Sequence, residues 1–488
     1  MKYFVLNFEK YKEEYERHAD VLSPFEVGIP LVDLSDEIIM RVYYYRWYVF
    51  CKHIRKTPEG HIITEFYNPV SWAKKYNTIN CPAGHHLYEG RWLHNNKYLA
   101  DYIRFWFKDE EAEPRQYSFW AADSIYNVCK AWGDFSIAEE MYDELKLNYA
   151  EWEKTHLREN GMFYQHDGWD GMEYSIGGSG IRPTINSYMC GDARALSKIA
   201  ARINKETDTH IYDEKFNDLK TKINDVLWDE RDCFFKTLLE NSVDKLTQVR
   251  ELIGYVPWYF NIPDDDKSEA WKFLIDSQYF AAPYGPTTAE QINPDFMKQH
   301  NHECLWNGPS WPFATAQTLT AMGNFLNNYK QTILKKKDYY NLLHTYANSQ
   351  FDVNEVGERI PYVDENIDPF TGEWIARKIL RNSKNPSGGV DRGADYNHST
   401  FCDLVITGLV GLRPREDNTI EINPMFEEED LDYLCADGIL YHGRSICVCW
   451  DKTGMRYHKG KGLRIYIDGK EVAAHNSIGR ISLNIECD

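Results

Sequence analysis

Three segments of the sequence concentrate acidic, aromatic and glycine residues, a composition typical of active-site loops. The first segment covers 165–174 and places Asp170 between Trp169 and Gly171. Glycines let the backbone turn tightly, and a carboxyl group beside an indole has its protonated form favoured, which suits a general acid. The alternative interpretation is a turn in which Asp170 caps the helix that follows.

The second segment, 301–312, is rich in tryptophan. Trp306 and Trp311 flank Asn307, and this arrangement could form a platform that stacks against a sugar and hydrogen-bonds to it. Equally, the two indoles could fill a wall of the core. The histidine and glutamate near the start of the segment are adjacent, so they do not face one way on a helix, and no metal site is predicted there.

The third segment, 362–374, contains Glu365 between turn signals. Asp368-Pro369 and Thr371-Gly372 favour turns, so Glu365 is expected on a rigid loop and not inside a helix. A loop carboxylate can serve as a general base, or it can merely hydrogen-bond the turn. Cleavage of a glycosidic bond needs two carboxyl groups across a pocket: one protonates the leaving oxygen, and the other activates water or attacks carbon.

Composition limits the partners of the chain. The 488 residues include 75 acidic and 55 basic residues, for a net charge of −20. Such a charge repels phosphate backbones and anionic lipids, so binding to nucleic acids or membrane surfaces is not expected. Aromatic residues make up 15% of the chain. They suit either pocket walls for a sugar or an aromatic-rich core.

Sequence features also bear on the compartment and on cofactors. The start of the chain has no signal-peptide pattern, and no stretch is apolar enough to span a membrane. Eleven cysteines occur without a CxxC pair, which favours free thiols in the cytoplasm. Cys447 and Cys449 share one face of a predicted strand, too weak a pattern to predict a metal. No phosphate or dinucleotide motif is present, so no cofactor is expected.

The chain divides into three predicted parts. Residues 1–80 form an irregular N-terminal extension that contributes to the main domain. Residues 81–412 read as repeated helical hairpins, which predicts a mainly α architecture, an α/α barrel. Within them, 396–412 is expected to be the last helix. Residues 413–488 form a small antiparallel β domain of sandwich type, with 439–450 read as one β-rich run.

In these motifs the sequence resembles the six-hairpin glycoside hydrolases grouped around glycoside hydrolase family 63, trehalase and mannosylglycerate hydrolase. Segments 168–171, 306–312 and 365–372 look like the family's acid, tryptophan and Glu-Asn-x-Asp-Pro motifs, in the same order. The resemblance covers about 80–412 and is strongest to bacterial members similar to mannosylglycerate hydrolase. It implies an (α/α)6 barrel, with Asp170 as the general acid and Glu365 as the general base of an inverting reaction.

Two positions depart from the family pattern, since Asn307 replaces an arginine and Gly171 replaces a polar residue. Both departures touch the pocket, so the sugar is expected to differ. Further side chains are predicted to contact substrate, although each could instead be structural. The predicted contacts are Trp169, Trp306, Asn307, Trp311, Arg91, Trp92, Tyr117, Trp120, Asn366 and His398.

The sequence therefore predicts an inverting, exo-acting glycoside hydrolase that cleaves an α-linked glucoside or mannoside from a small carbohydrate, without metal or cofactor. One alternative is a sugar epimerase or isomerase on a similar helical barrel. It would use histidines as acid and base, and the residues concerned would be His85, His86, His302 and His398. The other alternative is a non-catalytic sugar-binding protein. The oligomeric state is left open.

Overall fold

Helices dominate the first four fifths of the chain, and antiparallel strands dominate the rest. The computed structural model describes residues 2–17, 21–240, 242 and 244–485. The α-helices are α1 Phe8–Tyr15, α2 Pro24–Val27, α3 Glu37–Lys52, α4 Ala83–Gly90, α5 Lys97–Lys108, α6 Ala121–Trp132, α7 Ser136–Glu140, α8 Tyr142–His156, α9 Pro183–Arg202, α10 Glu206–Val226, α11 Val256–Tyr259, α12 Pro312–Asn328, α13 Lys336–Ser349, α14 Ile375–Arg381 and α15 Cys402–Leu404.

The strands are short in the helical part and longer at the C-terminal end. They are β1 Leu31–Leu34, β2 Ile54–Thr57, β3 Gly60–Ile63, β4 Gly180–Ile181, β5 Trp228–Asp229, β6 Phe234–Phe235, β7 Leu238–Leu239, β8 Phe351–Val353, β9 Arg359–Pro361, β10 Leu412–Arg413, β11 Thr419–Ile422, β12 Tyr433–Tyr441, β13 Arg444–Asp451, β14 Gly462–Ile467, β15 Lys470–His475 and β16 Ile481–Asn484.

Helices in the middle of the chain pack side by side. In order of contact, α4 touches α6, α6 touches α9, α9 touches α11, α11 touches α12, α12 touches α15, and α15 touches α4 again. Helix α9 shows why these segments are helical and buried: Pro183 occupies its first turn, where no N–H bond is lost, and most of its 20 residues are buried. The helices therefore enclose a common core.

The end of the helical part differs from its prediction. A helix over 396–412 is wrong, because regular helix is confined to Cys402–Leu404 and a π-helical turn, Val405–Leu409, follows it. The buried carboxylate of Glu89 accepts four hydrogen bonds from three backbone N–H groups at the start of this helix. It thereby fixes the helix start. The preceding residues run as a loop, and the backbone N–H of Asn397 bonds the carbonyl of Glu65.

Two antiparallel sheets form the C-terminal part. One has the order β1-β12-β13-β14-β15 and the other the order β10-β11-β16. The run predicted over 439–450 is interrupted by a two-residue turn at His442 and Gly443, whose φ angles are +49° and +72°. Two successive positive φ angles define the turn that joins strands of a tight hairpin, so β12 and β13 are separate strands.

The N-terminal residues join the helical part of the chain to its five-stranded sheet. Helix α3 has 16 residues and packs on α13 and α15. Strand β1 leaves the helical part and pairs with β12 at the edge of the five-stranded sheet. The first 80 residues therefore contact both parts of the chain. Among the described residues, no helix combines the length and apolarity needed to cross a bilayer.

Candidate active site

A cavity of about 290 Å³ brings the three motif-bearing segments together. Its walls are unusually acidic for their burial, with four carboxyl groups and one arginine. Those groups are Glu65, Glu173, Glu303, Glu365 and Arg392. Aromatic rings form much of the remaining wall, and they are Phe66, Trp72, Tyr117, Trp306, Trp311, Phe313 and Tyr396. Flat apolar faces combined with a few polar groups suit a sugar ring.

Glu365 is held on its loop by its neighbour. The backbone N–H of Glu365 donates to Asp364 Oδ1 at 2.8 Å, and Asp364 in turn accepts bonds from Arg377 and Tyr362 at 2.6 and 2.7 Å. Glu365 itself is 4% exposed, and its Oε1 has no hydrogen-bond partner among the described residues. The loop therefore presents one free carboxylate oxygen at the cavity.

Arg392 is the cation nearest to Glu365. Its guanidinium binds Glu303 at 2.5 Å but lies 3.6 Å from Glu365 Oε1, beyond hydrogen-bond distance. Burial raises the pKa of Glu365 to about 8, and Arg392 opposes this rise without cancelling it. With a pKa of about 8, Glu365 in the free site is mostly protonated at neutral pH, and it can act as a base only after it has ionised.

Glu65 is a second buried carboxyl group of the cavity. It follows strand β3 and accepts a hydrogen bond from the Tyr396 hydroxyl. Burial raises the pKa of Glu65 to about 8, while the bond from Tyr396 acts in the opposite direction. No local sequence pattern marks Glu65, because it reaches the cavity only through the packing of the N-terminal segment.

Asp170 is buried directly behind the cavity wall. Its neighbour Gly171 lines the cavity, whereas Asp170 is 1% exposed. Its Oδ2 accepts bonds from Arg182 at 2.8 Å and Thr184 at 2.6 Å, and Oδ1 has no partner among the described residues. Burial raises the pKa of Asp170, although Arg182 and Thr184 both lower it. One oxygen is thus anchored and the other can carry a proton.

Arg182 organises the loop that carries Asp170. It precedes Pro183 at the start of α9 and is completely buried. Besides Asp170, its guanidinium donates to Asp167, Ser175 and the carbonyl of Gly178, all within 3.2 Å. A loop with little regular structure is thereby fixed to the end of a long helix.

Glu173 lies three residues beyond Asp170 and lines the cavity directly. Burial raises its pKa, while the nearby His302, 3.9 Å away, acts to lower it. Glu173 and Tyr117 also line an adjoining depression of about 410 Å³ that includes Trp169. Trp169 is 54% exposed there. The cavity and the depression therefore share a wall, which extends the site outward.

The tryptophan segment forms a stacked pair. The rings of Trp306 and Trp311 lie 4.7 Å apart and nearly parallel, at 16°. Trp311 donates to the carbonyl of Leu305, whereas the indole N–H of Trp306 is buried without a partner among the described residues. Asn307 is also buried, and its amide donates to Gln299 at 3.4 Å while its Oδ1 is unpaired within the described part of the chain.

Some predicted contacts do not line this cavity. Arg91 and Trp92 both bind the buried carboxylate of Asp403, and Arg91 faces a different cavity. Trp120 is fully buried, with its ring packed against those of Tyr188 and His85. These side chains point into the packing between helices.

Asn366 has a structural position next to Glu365. Its amide donates to the carbonyl of Glu303, and its Oδ1 accepts from the N–H of Ala376 at the start of α14. Asn366 therefore ties the Glu365 loop to the tryptophan segment. Of the four histidines considered for acid–base chemistry, His302 and His398 line the cavity, and burial holds the pKa of His398 well below its usual range.

Sequence reasoning missed several cavity residues. Glu173 lies in segment 165–174 and Glu303 in segment 301–312, so the acidic residues of these two segments could have predicted both positions. Glu65, Arg392 and Tyr396 lie outside them and are brought in by tertiary packing alone.

Comparisons with known proteins agree with this geometry. Residues 75–399 match the family described as mannosylglycerate hydrolase MGH1-like glycoside hydrolase domain, and residues 412–474 match the C-terminal domain of glycosyl hydrolase family 65. The chain therefore belongs to the MGH1-like glycoside hydrolase domain family, and the resemblance seen in the motifs is confirmed.

Solved structures give the same fold. A sialidase structure has a TM-score of 0.91 and 39% identity, covering 98% of this chain and 45% of its own. The GH63 mannosylglycerate hydrolase of Thermus thermophilus, in complex with glucose, has a TM-score of 0.51 and 11% identity, covering 75% of this chain and 98% of its own.

A curated relative, an uncharacterized protein of Borreliella burgdorferi, is 25% identical over 189 residues, 35% of this chain and 38% of that protein. The chain thus spans less than half the length of the sialidase structure, and its match covers about two fifths of the curated relative.

Arg182→Met should destabilise the protein because it removes the cation from a buried pair. We expect the free energy of unfolding to fall by about 3–5 kcal/mol in urea titrations. Arg231→Met is the control, since Arg231 is 70% exposed beside Asp232 and should have a much smaller effect. Equal losses in the two variants would contradict the role assigned to Arg182.

Glu65→Gln should change how stability depends on pH. The folded-state pKa of Glu65 is about 8, above the ordinary value of about 4.3. The contribution of Glu65 to the free energy of unfolding is therefore fully present in acid. It is lost as pH rises from about 4 to 8, by at most ~1.4 kcal/mol per pH unit. The variant should gain stability relative to wild type from pH 5 to pH 8.

Urea unfolding at pH 5, 6, 7 and 8 measures this difference. Glu355→Gln removes an exposed carboxylate and should follow the wild-type curve throughout. A constant offset between Glu65→Gln and wild type over this range would mean that Glu65 titrates alike in the folded and unfolded states.

Proposed function

We propose that the chain is an inverting, exo-acting glycoside hydrolase that cleaves an α-linked glucoside or mannoside. Asp170 is the general acid and Glu365 the general base. The observation that carries this proposal is a pair of buried carboxyl groups, each with one oxygen lacking a partner among the described residues: Glu365 lines the aromatic-walled cavity, and Asp170 lies next to Gly171 of its wall. Family membership supports the class of reaction.

These roles require Asp170 to hold a proton and Glu365 to have lost one. Burial favours the protonated form of Asp170, and Arg182 and Thr184 occupy Oδ2, so the proton resides on Oδ1 and passes to the glycosidic oxygen. Glu365, once ionised, removes a proton from water as that water attacks the anomeric carbon from the opposite face. Arg392 stabilises the carboxylate that this step requires.

The size of the cavity supports exo action. A volume of about 290 Å³ lies at the lower end of the ~300–1,000 Å³ typical of ligand pockets, which suits one terminal sugar. The adjoining depression beside Trp169 then accommodates the leaving part of the substrate. The arginine of the cavity wall, Arg392, is already bound to Glu303, which favours a neutral carbohydrate over an anionic one.

The finer architecture is part of the same proposal. In it, the six helices that contact one another in a closed order form the inner ring of an (α/α)6 barrel within residues 81–412, and strands β10 to β16, joined by β1, form its β domain. The ten cysteines that are free among the described residues fit a reducing, cytoplasmic location.

Asp170→Asn and Glu365→Gln test the assignment. Each variant should lose about 10²–10⁴-fold in kcat against α-linked disaccharides and aryl glycosides, because each removes one proton-transfer group. Circular dichroism verifies that both remain folded, and the exposed Glu355→Gln should keep wild-type activity. Hydrolysis at the wild-type rate in both variants would contradict the proposal.

A histidine-dependent epimerase or isomerase is the second candidate, because His302 and His398 line the same cavity. Such an enzyme rearranges the sugar without breaking a glycosidic bond. Reactions run in deuterium oxide separate the two: the hydrolase releases two sugars without deuterium on carbon, whereas proton abstraction at carbon introduces it.

A further inference from the structure

Three cysteine thiols meet on one face of the five-stranded sheet, far from the catalytic motifs in sequence. Cys435 of β12 lies directly opposite Cys449 of β13, and Cys447 is two residues before Cys449 on the same face. The Sγ atoms are separated by 2.8 Å (Cys435–Cys449), 3.5 Å (Cys447–Cys449) and 3.7 Å (Cys435–Cys447). All three residues are at most 1% exposed.

A carboxylate adjoins this cluster. Asp437 lies two residues beyond Cys435 in β12, at an irregularity between Ala436 and Ile439 in the pairing with β13. Its Oδ2 accepts the backbone N–H groups of Phe4, Val5 and Leu6 at 2.7–2.9 Å. Its Oδ1 is buried and has no hydrogen-bond partner in the described part of the chain. This oxygen is not within 4.8 Å of all three sulfur atoms, so the Asp437 carboxylate has to move to complete a shared site.

We propose that Cys435, Cys447 and Cys449, with Asp437 as the fourth ligand, bind a Zn²⁺ ion. Tetrahedral zinc with Zn–S bonds of about 2.3 Å separates its sulfurs by ~3.8 Å. Two of the three Sγ separations are already within a few tenths of an ångström of that value, and the Cys435–Cys449 pair needs to open by about 1 Å. Carboxylate oxygen and thiolate sulfur are both ordinary zinc ligands.

The ion would act as a structural staple. Its ligands come from adjacent strands, and Asp437 in addition holds the N-terminal residues through three backbone bonds. Binding therefore couples the N-terminal segment to the β domain. Because the ligands are fully buried, the ion is taken up as the chain folds, and each thiol releases its proton on binding.

Zinc content of the full chain tests the proposal. Protein purified from zinc-supplemented cells should contain about one zinc per chain by inductively coupled plasma mass spectrometry. Protein that is unfolded with a chelator and then refolded should melt at a lower temperature than protein refolded without the chelator. Cys435→Ser, Cys447→Ser and Cys449→Ser should each lose most of the zinc. Cys233→Ser is the matched control, since that cysteine lies outside the cluster and is only partly buried.

Metal binding by the wild-type protein tests the proposal even if a variant fails to fold. Cobalt-loaded wild type should show the thiolate charge-transfer absorption of a tetrahedral sulfur-rich site, and Asp437→Asn should shift it. Wild type that lacks zinc overturns the proposal, as does zinc retained in all three serine variants. Detection of two thiols fewer than the eleven in the sequence, after unfolding without reductant, would identify a disulfide in place of the zinc site and would also overturn it.

Discussion

The Arg182 guanidinium is the interaction on which the candidate active site most depends. The loop from 165 to 180 has little regular structure, and Arg182 joins it to the start of α9 through four different acceptors. A buried arginine can do this only where carboxylates balance its charge. The same bond that anchors the loop therefore also fixes Asp170, so fold and chemistry share one hydrogen bond between arginine and a carboxyl group.

Charge balance explains why the two proposed catalytic carboxyl groups differ. Asp170 has a cation in direct contact, yet that contact uses only one oxygen. Glu365 has its cation at 3.6 Å, shared with Glu303. Burial acts on both, so each titrates above its ordinary range for reasons that can be altered separately. Different environments for two carboxyl groups are what distinct acid and base roles require.

Local sequence predicts a site residue where a single loop contains all the residues of its motif. Asp170, Glu365 and the Trp306–Trp311 pair lie in such loops, and the family resemblance follows from them. Glu65 and Arg392 reach the cavity from distant segments, which no local pattern reveals. Arg91 and Trp92 were predicted to contact substrate, but they bind Asp403 instead. The residue types near a helix do not tell which end of the helix bundle the side chains face. The predicted helix over 396–412 is wrong because the N–H of Asn397 bonds the carbonyl of Glu65 and the N–H of Cys402 bonds Glu89, so the helix begins only at Cys402.

The stereochemistry of the first product tests the central proposal most directly. Proton NMR can follow an α-linked disaccharide or aryl glycoside from the first minutes of hydrolysis, before the released sugar mutarotates. Water delivered by Glu365 opposite the bond that Asp170 protonates yields the β anomer first. Initial release of the α anomer would show retention, and Glu365 would then not be the base of an inverting reaction.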